Sequence, residues 1–268
     1  MGMIIDFHTH VFPDTIAKTT IEMLEQRSGV KASTDGTLNG LVRSMKHNGV
    51  DVSVLLPVVT KPQQFESINK FAQFVNSAYG SHVISFGGIH PDCEDYKAKL
   101  RQIKEMGIQG IKIHPDYQKV MIDDIRYMNI IEYASELDLI VVTHAGVDIG
   151  LPQPIHCPPD RARKVIDTIK PKKFILAHYG GLKQWEEVYE YIAGSDVYLD
   201  TAITFDYIEQ EMFMKIWNKH DKKKILFATD SPWSDAKEGI KAVRALPISE
   251  EEKEDILSGN AKQLIQLF

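Results

Sequence analysis

Two histidines separated by one threonine, His8 and His10, close the run MIIDFHTH at residues 3–10. Residues i and i+2 of a β-strand face the same way, so the two imidazoles stand side by side with backbones roughly 7 Å apart. Paired neutral ring nitrogens on one face are most of a metal site. Similar residues recur where later apolar runs end: His90, Lys112 and His114, His144, His178, Asp200 and Asp230, with His156 in the loop beyond His144. Histidine nitrogens and one carboxylate suit a catalytic divalent ion such as zinc, which keeps an open position and lowers the pKa of bound water to roughly 7.

The elements that would position these groups are short β-type runs alternating with amphipathic ones. Strands are predicted at 3–7, 52–58, 82–89, 110–113, 139–143, 173–177, 197–200 and 225–229. Helices are predicted at 64–78, 94–106, 124–137, 159–169, 184–192, 206–217 and 235–245. Eight alternating units at this length favour a parallel α/β fold closed as a single (β/α)8 TIM barrel over residues 1–268, with further short helices at the C-terminus. A doubly wound open sheet would carry a glycine-rich turn after its first strand, whereas HTHVFPD there has no glycine. In a barrel, the strand ends that carry the histidines form the catalytic face. Alternation predicts that Lys112 with His114, Val142 with His144, Leu176 with His178, and Ala228 with Asp230 all point inward.

Each group also has a structural reading. Asp200 and Asp230 could cap the segments that follow them. His90 and His114, each followed by Pro-Asp, either order loops or touch substrate. Arg161 and Arg163 in PPDRARK are expected on a solvated helix face, and Cys157 has no partner that would make it a nucleophile. The loop 145–160 is expected to wall the pocket, with His156 near substrate. Phe12, Tyr117, Phe205 and Trp233 lie just past strand ends as aromatic wall candidates.

The set FHTH, THAG, AHYGG and FATDSPW, in this order on a barrel parse, resembles the amidohydrolase superfamily. The wording ILAHYGG and ILFATDSPW is most similar to the branch of aminocarboxymuconate semialdehyde decarboxylase and related hydrolases. The resemblance implies that His8, His10, His144 and Asp230 ligate one divalent metal, with zinc expected, and that His178 is the acid/base residue. In binuclear members a strand-four lysine is carbamylated, which keeps a second version with Lys112 as bridge in view. In the mononuclear version Lys112 faces a substrate carboxylate or phosphate, and His90, His114 and His156 are further substrate contacts. The leading expectation is hydrolysis of a small amide, ester or lactone, with His178 and Asp230 moving protons. The alternative is nonoxidative decarboxylation of an unsaturated or aromatic acid at the same centre.

Composition narrows the partners. The chain has 31 Lys and Arg against 37 Asp and Glu, a formal charge of −6, with scattered basic residues. Nucleic acid and anionic membranes are therefore not expected, while a small anionic substrate is compatible with this balance, because a few residues set its surroundings. Two distant cysteines, no apolar run of membrane-spanning length and no leader pattern point to a cytoplasmic protein. The apolar pattern of 205–217 is compatible with a homodimer face.

Overall fold

The computed structural model describes residues 2–267. Nine parallel strand segments are present: β1 Ile5–Thr9, β2 Val52–Leu55, β3 Val83–Ser85, β4 Gly87–Gly88, β5 Gly110–Ile113, β6 Ile140–Thr143, β7 Phe174–Leu176, β8 Tyr198–Asp200 and β9 Ile225–Leu226. The ladder runs β1-β2-β3 and then β4 through β9. Only Phe86 separates β3 from β4, so together they fill one barrel position. Phe7 N donates to Phe227 O and Asp230 N to His8 O, each at 2.9 Å, and Thr9 bridges Ser231, which joins the first strand to the last. Eight positions, each followed by helical segments, make the (β/α)8 barrel that the alternation predicts.

Two asparagines hold the interrupted position. On the helix Phe65–Tyr79, Asn69 donates to Phe65 O and Gly88 O and accepts from Gly88 N; two turns further along the same face, Asn76 does the same for the N–H and C=O of Ser85. A Cβ on Gly87 would lie 2.2 Å from Asn69 Oδ1, so the strand carries glycine where the amide must come close.

Apolar residues form one cluster inside the strands, including Phe7, Val54, Phe86, Val142 and Ile175, and a larger one between strands and helices. The apolar residues of the segment expected as a dimer face belong to the second cluster: Phe213, Ile216 and Trp217 are buried on the helix Gln210–Lys219. The stretch 11–40, where the periodicity gave no helix, carries one at Asp14–Ser28. Only Ala17 and Ile21 of that helix are buried, while Ile16, Thr20, Met23 and Leu24 line an open cavity. With apolar residues on two faces, its helical period is blurred. No helix among the described residues is long and apolar enough to cross a membrane.

Candidate active site

A cavity of about 770 Å³ opens at the C-terminal ends of the strands. Its floor carries His8, His10, Lys112, His114, His144, His178 and Asp230, and its walls come from residues 11–30, 55–71, 148–150 and Trp233. Seven of the groups singled out in the sequence are thus brought together from the ends of five strands, β1, β5, β6, β7 and β9, that are distant in the chain.

The two histidines of β1 sit at an irregularity. Asp6 pairs with Ser53 and Thr9 with Leu55, so the strand takes three steps where β2 takes two, a bulge that re-aims side chains. His8 Nδ1 donates to Asp200 Oδ2 at 2.9 Å, and His10 Nδ1 donates to Leu56 O at 2.9 Å. A carbonyl or carboxylate oxygen can only accept, so each neutral ring is left with its lone pair on Nε2. Those two Nε2 atoms face each other at 3.1 Å, and Asp230 Oδ1 lies 3.3 Å from the first and 3.1 Å from the second. Burial, and next the Lys112 charge, push His8 well below the ordinary imidazole range. Burial works to raise Asp230, but the imidazoles of His8 and His10 outweigh it and hold the carboxyl down to about 2. Two imidazole nitrogens and a carboxylate oxygen within 3.3 Å of one another are a donor set that fits a divalent ion.

Lys112 Nζ donates to His8 Nε2 at 3.1 Å from the buried face of β5. Burial lowers it to about 8, with Asp200 and Asp230 opposing the shift, so it is mostly cationic at neutral pH. It is the one lysine or arginine among the described residues that line the cavity.

A second chain of imidazoles runs from β6 and β7. His178 Nδ1 donates to Ala202 O at 3.0 Å, leaving the lone pair on Nε2, which faces His144 Nδ1 at 3.0 Å. On its other side His144 Nε2, buried and without a hydrogen-bond partner, points at Asp116 Oδ2, also without one, 3.7 Å away. The remaining Asp116 oxygen accepts from the N–H and the Nδ1 of His156. A hydrogen on His144 Nδ1 satisfies His178 but turns a lone pair on Asp116. A hydrogen on Nε2 suits Asp116 but sets two lone pairs face to face. A cation on the His178 side resolves the conflict in favour of the second arrangement. His114 stacks on His144 with ring centroids 4.3 Å apart, and His114 Nε2 lies 3.5 Å from Asp148 Oδ2.

Alternation gives the correct inward face for Lys112, His144 and Asp230 but not for the reason expected at His178. The register aligns Lys112 with Val142 and Val142 with Ile175, so Leu176 lies on the opposite, outer face. His178 turns inward because the chain leaves the strand in the left-handed region, with φ of 58° at His178 and 57° at Tyr179. Asp230 has φ of 68°. Such backbones cost about 1–3 kcal/mol each and cluster where geometry serves a site.

Two predicted substrate contacts are corrected. His90 does not line the cavity: its Nδ1 accepts from Asp92 N, so it orders its own loop. His156 lies behind His144, bonded to Asp116, because the carboxylate draws it away from the cavity. Phe12, Tyr117 and Trp233 line the walls, whereas Phe205 packs on Phe213. Arg161 and Arg163 pair with Asp123 and Asp167 on helix surfaces, and burial pushes the Cys157 thiol up, away from reactivity. Asp116 and Asp148 were not anticipated: Asp116 stands in a Pro-Asp step of the kind that marks turns, Asp148 in a loop, and nothing local in the sequence shows that they come to lie beside His144 and His114.

The family model described as amidohydrolase matches residues 5–267. Comparison with curated proteins returns no match. Among solved structures, the chain is similar to 5-carboxyvanillate decarboxylase from Sphingomonas paucimobilis, with TM-score 0.71, 14% identity and 99% of each chain covered. It is also similar to an uncharacterised TIM-barrel protein from Bordetella bronchiseptica, with TM-score 0.75, 18% identity and 98% of each chain covered. A third is a dihydroxybenzoic acid decarboxylase from Polaromonas with bound manganese and the inhibitor 2-nitroresorcinol, with TM-score 0.73, 15% identity and coverage of 98% of this chain and 97% of that one. The two neighbours with a stated reaction overturn the leading expectation of amide, ester or lactone hydrolysis: both are decarboxylases of aromatic acids. The match over nearly the whole length, on a barrel whose rim holds the paired histidines and the aspartate, places the chain in the amidohydrolase family.

Proposed function

We propose that the protein is a metal-dependent, nonoxidative decarboxylase of an aromatic or unsaturated carboxylic acid. The observation that carries this reading is the pairing, on one cavity floor, of a convergent cation site with a single buried lysine. His8, His10 and Asp230 converge and would hold the ion; His144, which lies instead with His114 and Asp148, would be the fourth ligand through Nδ1, leaving its Nε2 to donate to Asp116. When bound, a divalent ion polarises oxygen atoms beside the leaving carboxylate and fixes the acid in place. The ligand set admits manganese as well as zinc, and manganese is the ion held by the Polaromonas relative.

The chain's own groups supply the rest. Lys112 offers an ammonium to the substrate's acidic end. His178, fixed by its Nδ1 bond to Ala202 O and by Asp200 Oδ1 accepting from its backbone N–H, presents Nε2 to the cavity. That nitrogen, once protonated, gives its proton to the ring carbon as the carbon–carboxylate bond breaks; the bonding pair stays on the carbon, and carbon dioxide leaves.

The test is carbon dioxide release, measured together with solvent deuterium incorporated at the vacated carbon, from hydroxybenzoates and conjugated acids on manganese-loaded protein. Turnover is expected to vanish with chelator and to fall at least 10²-fold in His178→Asn while about one equivalent of metal is retained. Carbon dioxide release that survives chelation, or a His178→Asn variant that loses metal stoichiometrically, would sink the assignment.

A further inference from the structure

The cavity is larger and greasier than a single-ring acid requires. Its ionisable groups lie at the strand ends and the loops beside them, around Lys112, whereas the segments beyond contribute Phe12, Ile16, Met23, Leu24, Phe71 and Trp233, with only uncharged polar residues such as Thr20, Gln64 and Ser67 among them. A volume of about 770 Å³ falls in the range that takes ligands of drug size. Ile16 and Met23 are 48% and 49% exposed, although they face this cavity from a helix whose core contacts are Ala17 and Ile21. Large apolar side chains in that position leave surface uncovered that a ligand could take from water.

Resting on the decarboxylase reading, we infer that the substrate is a monoacid carrying an apolar arm. Its carboxylate sits at Lys112, and the arm extends along the cavity and covers Ile16 and Met23. One lysine matches one acid group. A second charge on the arm would meet no lysine or arginine among the described lining residues. The arm, not a second protein chain, is the occupant assigned here, because the apolar walls are continuous with the floor that holds the reacting groups.

The experiment compares two probes on manganese-loaded protein by calorimetry at several temperatures: 2-nitroresorcinol, and 2-nitroresorcinol with a hexyl chain opposite the nitro group. Buried methylenes strengthen binding, so the chain-bearing probe is expected to bind at least tenfold more tightly, with a more negative heat-capacity change. That ratio should collapse toward one in the double variant Ile16→Asp/Met23→Asp. Equal or weaker binding of the chain-bearing probe, with the plain probe still bound, overturns the arm and leaves the decarboxylase reading standing. Failure of both probes to bind the metal-loaded protein removes both.

Discussion

At the scale of single residues, the site is a set of hydrogens whose positions are dictated by acceptors. Asp200 and Leu56 O fix the hydrogens of His8 and His10 on Nδ1, and Ala202 O fixes that of His178, so the lone pairs point into the cavity. His144 is the one ring whose hydrogen is contested, between His178 and Asp116. Carboxylates behind metal-binding histidines typically contribute 10–100-fold in affinity. Asp116→Asn is therefore expected to weaken manganese binding by about that factor, read by competition with a chromophoric chelator. His156→Ala, which removes the ring that anchors Asp116, should weaken it less, and unchanged affinity in both would show that Asp116 does not position His144. The histidines and Asp230 were legible because residue type and spacing carry their chemistry. Asp116 was not, because its role exists only where two strand ends meet.

At the scale of elements, polar side chains stitch strands to helices where ladder bonds stop. Asn69→Ala leaves the N–H and C=O of Gly88 buried without partners, and the expected cost is about 2–5 kcal/mol. It should appear as a lower denaturant midpoint at unchanged slope. A second joint is His220, just beyond the helix Gln210–Lys219: its Nδ1 accepts from Gly194 N and its Nε2 donates to Val197 O, which locks the neutral ring. Burial lowers it from 6.5, outweighing the support of Val197 and Asp221. A lowered folded value means that the unfolded chain binds the proton first. The contribution of His220 is thus fully present above pH 6.5 and declines as pH falls toward the folded value. Unfolding free energies measured between pH 8 and pH 5 should show this decline in the native protein, and a smaller one in His220→Gln. These joints lie on helices and loops whose existence the periodicity predicts but whose partners it does not. The helix Asp14–Ser28 escaped altogether because it serves a core on one side and a cavity on the other.

For the molecule as a whole, the ion site ties the first strand to the last: His8 and His10 come from β1, and Asp230 follows β9. An ion bound there acts only on the closed barrel, so it stabilises the folded state by mass action. At a hundredfold excess over its dissociation constant this amounts to about 2.7 kcal/mol, or roughly 5–10 °C in melting temperature for a chain of this size. Removing metal with chelator, then restoring it, should lower and recover the melting temperature by that amount. A melting curve indifferent to chelator would place the ion, if bound at all, away from the barrel seam.

By itself the sequence determined the alternation of strands and helices, the parallel barrel and the identity of the rim histidines and aspartate, since these follow from periodicity and side-chain chemistry along a local stretch of chain. The tertiary structure alone decided which nitrogen of each ring is free. It also decided that His178 enters the site through a left-handed backbone instead of strand alternation, and that His90 and His156 turn away. The hydrogen positions of His8, His10 and His178 depend on acceptors at other strand ends, 192, 46 and 24 residues away, and no local pattern encodes those distances.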